Sequence, residues 1–145
     1  MTDKLLHLDD FLPFRLSYTS NLVSERIARS YEALFGLKIP EWRLIAVIAE
    51  GQGTTQQDIG GRTRMDKVTV SRAAVALFER GLITRAPNPA DGRSHLLTLT
   101  PAGHTLYAQI APKALELEAS IFGQFSAEEL AALKDMLRRV ADYAG

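Results

Sequence analysis

The stretch from Thr54 to Thr100 constrains the fold most, because its apolar pattern changes from helical to extended across one glycine. Asp66 is placed to offer its carboxylate to the unpaired amides of a helix's first turn. Met65 and Val70 are spaced as a hydrophobic staple across that start. Val70, Ala73, Ala74, Leu77 and Phe78 then recur at helical spacing and predict one core-facing stripe. Gly81 is the expected stop, since it takes positive φ without steric conflict. Beyond it, Leu82–Arg85 and Leu96–Leu99 are β-prone. The loop between them carries Pro87, Pro89 and the turn pair Asp91-Gly92. Upstream, a shorter helix opens at Thr54 or Thr55, and Thr54 with Gln57 has capping-box spacing. Ile59 points inward, Gly60 and Gly61 permit close helix approach, and residues 62–65 form the turn. The order of helix, turn, helix and β-ribbon predicts a winged helix-turn-helix.

The face opposite the Val70/Leu77 stripe carries Lys67, Thr69, Ser71 and Arg72, with no acid among them. Hydroxyls and long cations suit phosphate oxygens and base edges, although such a face alone is equally compatible with simple solvation. Thr55 and Gln56 at the first helix's start, and Arg64 in the turn, complete the set around this face. Arg93 falls near the ribbon tip, where an arginine can enter a minor groove. Asp91 is the candidate support for Arg93, or else a partner for Arg85 at the ribbon base. The candidate DNA contacts are therefore Thr55, Gln56, Arg64, Lys67, Thr69, Ser71, Arg72 and Arg93.

The segments MDKVTVSRAAVALFERGLITR, DGR and LTLTPAG, in that order, resemble the MarR family of bacterial transcription regulators. The resemblance extends over nearly the whole chain, including the flanking helices. Its most specific parts are the D-K-x-T-V-S-R helix start, the G-L-I-T-R exit and the L-T-P-A-G re-entry. Asp91 and Arg93 match the family's Asp-x-Arg wing; the middle position, often basic in the family, is Gly92 here. The resemblance implies a fold that is mainly α with a small β-wing, with terminal helices that interlock two subunits. It also implies a repressor more often than an activator, and small aromatic acids as effectors.

Charge placement agrees with a nucleic-acid partner. The chain of 145 residues has zero formal net charge, but seven Lys/Arg against four Asp/Glu within 54–100 leave that stretch three positive and the remainder three negative. No cysteine is present, which excludes disulfides, thiolate metal sites and thiol sensing. His7, His95 and His104 lack a second ligand at metal spacing, so no metal and no cofactor is expected. No catalytic residues are assigned: Ser71 lies outside a nucleophile elbow, and Gly51-Gln-Gly53 is too short for a phosphate loop. The length fits a single subunit. Neither a long apolar run nor a signal-peptide pattern is seen, so a soluble cytoplasmic protein without a membrane partner is expected.

Residues 1–10 read as a frayed start, with Leu5, Leu6 and Leu8 available to a partner. Pro13 suits the first turn of a helix that Gly36 ends. Pro40 and Glu41 open the next, with Trp42 and Ile45 at core spacing. Thr100 and Pro101 open a long helix, and Pro112 inside it predicts a kink or break. Ser126 to Glu129 is a capping box for a last helix, along which Leu130, Leu133, Leu137 and Val140 form a pairing seam. These readings divide the single subunit 1–145 into a dimerisation region, 8–35 and 102–143, and a DNA-binding lobe, 38–100. A homodimer would set one recognition helix per subunit in successive major grooves of a pseudo-palindromic operator on double-stranded DNA. For an effector, Arg15 could hold a carboxylate, Tyr18 could meet a phenol and Trp42 could wall the cavity. The alternative reading is a winged-helix module that binds only protein; the basic face counts against it.

Overall fold

The computed structural model describes residues 5–145, so the frayed-start reading of residues 1–4 lies outside it. Residues Leu8–Asp10 form a short 3-10 turn, not a frayed end, and Leu5, Leu6 and Leu8 are exposed. The described helices are α1 (Leu12–Phe35), α2 (Ile39–Glu50), α3 (Gln56–Thr63), α4 (Lys67–Glu79), α5 (Pro101–Phe122) and α6 (Ala127–Ala144). Strands β1 (Ile83–Pro87) and β2 (His95–Leu99) pair antiparallel, with Ile83 opposite Leu99 and Pro87 opposite His95. The fold is the expected winged helix-turn-helix, mainly helical with a two-stranded wing. The chain divides into two compact units, one ending at Ile110 and the other running Ala111–Gly145.

The lobe's core is assembled from small contributions of many elements. Leu44, Ile45 and Ile48 of α2, Ile59 of α3, and Val70, Ala73, Ala74 and Leu77 of α4 are buried with Leu82, Ile83, Leu97 and Leu99. The short Ala73 and Ala74 side chains leave room for close approach on that face. Phe78 does not join the stripe. It is 44% exposed, and the Arg85 guanidinium sits 4.6 Å from its ring centroid. The ring exchanges full burial for a cation–π contact that ties α4 to the wing.

Helix ends follow their chemistry. Asp66 caps α4 by accepting from the Thr69 amide at 2.7 Å. That bond, first among its causes, holds the Asp66 carboxyl below the usual carboxylate range. Gly36 ends α1 at φ +62°, and Gly81 turns the chain out of α4 at φ +72°. The Arg80 guanidinium donates to the carbonyls of Gly36 at 3.2 Å and Phe35 at 3.3 Å, joining the end of α4 to the end of α1. The cap of α3 is one residue later than the Thr54/Gln57 reading. Thr54 is engaged elsewhere, exchanging backbone hydrogen bonds with Leu97 at 3.2 and 2.8 Å. Thr55 therefore caps, its hydroxyl accepting from Asp58 N at 3.1 Å, while the Asp58 carboxylate accepts from Thr55 N at 3.4 Å.

The re-entry into α5 has the tightest steric fit. Thr100 Oγ1 accepts from Gly103 N at 3.0 Å and donates to Gly81 O at 2.6 Å. Gly103 is buried, and a Cβ there would fall 2.1 Å from the Leu82 carbonyl oxygen. Only glycine lets α5 cross the base of β1 at this distance. Of the kink or break expected at Pro112, no break occurs: α5 is helical from Pro101 to Phe122, with Pro112 inside it. One lost amide bond is tolerated in a helix supported by intact turns on either side. The boundary between the two compact units nevertheless falls beside this proline. In the second unit, the Ser126 hydroxyl and Glu129 carboxylate form the expected capping box of α6, at 3.1 and 2.9 Å. Leu130 and Leu133 are half-buried and Leu137 and Val140 exposed. No described helix is long and apolar enough to cross a membrane.

Candidate nucleic-acid interface

Lys67, Arg85 and Arg93 line neighbouring concavities where the start of α3, the start of α4 and the wing loop meet. A cavity of about 560 Å³ is lined by Gln56, Gln57, Lys67, Asp91, Arg93 and Ser94, among others. A second, of about 240 Å³, brings Thr55 and Gln56 beside Arg85, Arg93 and His95. Gln56 and Arg93 line both, so the wing arginine and the first turn of α3 share one concave surface. Of the eight candidate contacts, Thr55, Gln56, Lys67 and Arg93 are thus brought together. Arg72 is exposed one turn along α4, whereas Thr69 and Ser71 are half-buried and turned partly toward the lobe.

The wing loop is held by its own side chains. Asn88 Oδ1 accepts from Ala90 N at 3.1 Å, and Asn88 Nδ2 donates to Ser94 Oγ at 2.9 Å. Asp91 supports Arg93, but through the backbone: its Oδ1 accepts from Arg93 N at 3.0 Å. The expected side-chain contact between Asp91 and the Arg93 guanidinium is thereby corrected. An aspartate reaches the amide two residues on within a turn, which leaves the Arg93 side chain exposed at the tip. The alternative pairing of Asp91 with Arg85 is not formed either; the Arg85 guanidinium lies over the Phe78 ring. Asn88 was not singled out from sequence. Its place after Pro87 and before Pro89 was the available signal, since asparagine commonly bonds its own turn.

Arg64 has the sole positive φ among described non-glycine residues, +61°, as the C-cap of α3. Its amide donates to Gly60 O at 2.9 Å, which stabilises a conformation that a side chain ordinarily disfavours. Val68 was also missed. It is 57% exposed at the second position of α4, out of phase with the core stripe and beside Lys67.

The effector candidates fall into two groups. Tyr18 is 53% exposed and its ring lies 6.0 Å from Phe14, on the same helix as the exposed Arg15. Trp42 is half-buried, edge-on to Tyr31 at 5.3 Å and stacked on Tyr107 at 6.2 Å. Burial pushes the Tyr31 phenol above its ordinary range.

A MarR family model matches residues 35–94, which includes the lobe from the end of α1 to the wing loop. An uncharacterised HTH-type transcriptional regulator of Staphylococcus aureus is 31% identical over 99 residues, 68% of this chain and 65% of that protein. The chain thus spans 65% of the length of that relative. Among solved structures, Bordetella bronchiseptica BpsR, described for regulation of its DNA binding by 6-hydroxynicotinic acid, superposes with a TM-score of 0.87 at 23% identity, over 96% of this chain and 99% of that one. A MarR family transcriptional regulator of Streptomyces coelicolor in complex with DNA superposes with a TM-score of 0.85 at 19% identity, over 97% and 91% of the two chains. At such identities these superpositions carry the fold alone. On the MarR family model match over residues 35–94 and the 31% identity to an HTH-type transcriptional regulator, this chain belongs to the MarR family.

Proposed function

We propose that the protein is a sequence-specific transcriptional regulator that binds a pseudo-palindromic operator as a homodimer. The observation that carries this reading is the convergence of Lys67, Gln56 and Arg93 on one concave surface, with Arg72 exposed further along α4. The α4 helix enters the major groove, and the wing sends Arg93 toward the adjacent minor groove. Lys67 meets phosphates and Arg93 the minor groove, and these set affinity, while Arg72 and Gln56 meet base edges. Selection from a random DNA pool, followed by mobility-shift titration, tests the reading. An enriched palindrome bound with nanomolar affinity is expected, and a pool that never enriches overturns it.

Two substitutions separate contact from fold. Arg93→Ala should lower operator affinity and reduce the salt slope by about one phosphate equivalent per half-site. The loop hydrogen bonds of Asn88 and Asp91 do not involve the arginine side chain, so thermal stability should hold. Arg64→Gly should move the two properties in opposite directions. The left-handed conformation becomes free of side-chain conflict, so stability stays level or rises by up to about 1 kcal/mol, while operator binding weakens. A loss of stability without loss of affinity would remove Arg64 from the interface.

The dimer rests on apolar surface left uncovered in one chain. Leu12, Leu16 and Leu22 of α1 are exposed, as are Leu137 and Val140 of α6. Residues 8–35 and 102–143 are what a second copy covers, with an obligate interface upward of about 2,000 Å². Light scattering at micromolar concentration should give twice the chain mass. Release of DNA by a small aromatic acid is the finer part of the proposal, supported by the effector named for BpsR and by the half-buried aromatic group around Trp42. Arg15 is the assigned carboxylate partner and Tyr18 the phenol partner, with the second subunit joining their cluster to that of Trp42. The ligand must favour the DNA-incompetent state to act.

A further inference from the structure

We propose that Val68 reads the 5-methyl group of a thymine in each operator half-site, which makes it a specificity-determining residue. The inference rests on the DNA-binding reading above. Three residues in the first half of α4 face outward: Lys67, Val68 and Arg72. Lys67 and Arg72 are cations suited to phosphate or guanine. Val68 has no polar atom, yet it is 57% exposed at the second helical position, one turn before Arg72 on the same face.

The N-terminal residues of a recognition helix are the ones that reach base edges. A side chain without donors or acceptors placed against a base amino or carbonyl group would strip its water and return no hydrogen bond. The thymine methyl is the one apolar feature of the major groove, so it is the edge that Val68 matches. The β-branched side chain is stiff at χ1, so little rotamer freedom is lost on contact. A second exposed valine on α4, Val75, has a different setting. It lines a concavity of about 290 Å³ with Phe78 and Arg85 at the base of the wing. Val68 sits at the other end of the helix, between the two cations of the reading face.

The test uses an operator selected from the random pool, with each thymine replaced in turn, symmetrically in both half-sites, by deoxyuridine. That exchange removes one methyl and leaves every hydrogen-bonding group in place. One position should weaken wild-type binding about fourfold per half-site, and about tenfold or more for the pair. Val68→Ser should bind the parent operator more weakly and be indifferent to uracil at that position. Val68→Thr, which keeps one γ-methyl, should retain most of the sensitivity; circular dichroism checks the fold of both. Uracil exchange that is silent throughout, or equally harmful to wild type and Val68→Ser, overturns the assignment. If the operator still requires Lys67 and Arg72, the regulator reading survives that result. A pool that yields no enriched sequence removes both together.

Discussion

The Lys67→Ala, Arg72→Ala double variant is expected to bind its operator at least a hundredfold less tightly than the wild type. An arginine in bidentate contact with a base contributes about 1–3 kcal/mol, and a homodimer makes each contact twice. At about 1.4 kcal/mol per tenfold change, two half-sites losing even the lower figure approach a factor of about 30. Loss of two lysine–phosphate contacts takes the total past a hundred and flattens the salt dependence by about two units. The fold should be untouched. Both side chains are exposed, and the Asp66 cap relies on the Thr69 amide. Fluorescence anisotropy across a salt series, paired with circular dichroism, measures both properties. An affinity within twofold of wild type, with helicity intact, would mean that α4 does not face DNA and would favour the protein-only winged-helix alternative.

Gly103→Ala should destabilise the protein by about 3 kcal/mol or more, or prevent folding at ordinary temperature. The added Cβ would lie 2.1 Å from the Leu82 carbonyl oxygen and 3.3 Å from Leu99 Cβ. The obstacle on one side is backbone, which cannot rotate away. Moving it would pull on the Thr100 N to Leu82 O bond at 3.0 Å and on the buried Leu82 and Leu99 side chains. Gly61→Ala is the matched control. No atom lies within 4 Å of its Cβ position and its φ is not positive, so alanine should be neutral or add up to about 1 kcal/mol of stability to α3. Urea unfolding of the two variants should therefore separate in opposite directions. Equal stability of Gly103→Ala and wild type would show that α5 shifts freely over β1, contrary to the close packing of Gly103 on Leu82.

The helices were legible because their ends are signalled by local chemistry. Asp66, Gly36, Gly81, Thr100 with Pro101, and Ser126 with Glu129 mark helix ends through hydrogen bonds within a few residues of themselves. The α4 core stripe follows from the 3.6-residue period. Lys67, Gln56 and Arg93 as interface candidates were reachable from residue type and from position in the helix-turn-helix order.

What the sequence by itself determined, then, is the order of the helices and the wing, the Val70–Leu77 part of the core stripe and the identity of the basic residues. Tertiary structure decided every feature set by a partner distant in the chain. Thr54 yields the cap to Thr55 because Leu97, far along the chain, takes its backbone groups. Phe78 stands partly outside the core and takes Arg85, a residue of the wing, over its ring. Gly103 is indispensable because Leu82 passes beneath it. Val68 stands out because the lobe covers Val70 and leaves its neighbour two residues earlier uncovered. Local patterns encode hydrogen bonds and period, whereas the position of a nonlocal neighbour exists only once the chain has closed on itself.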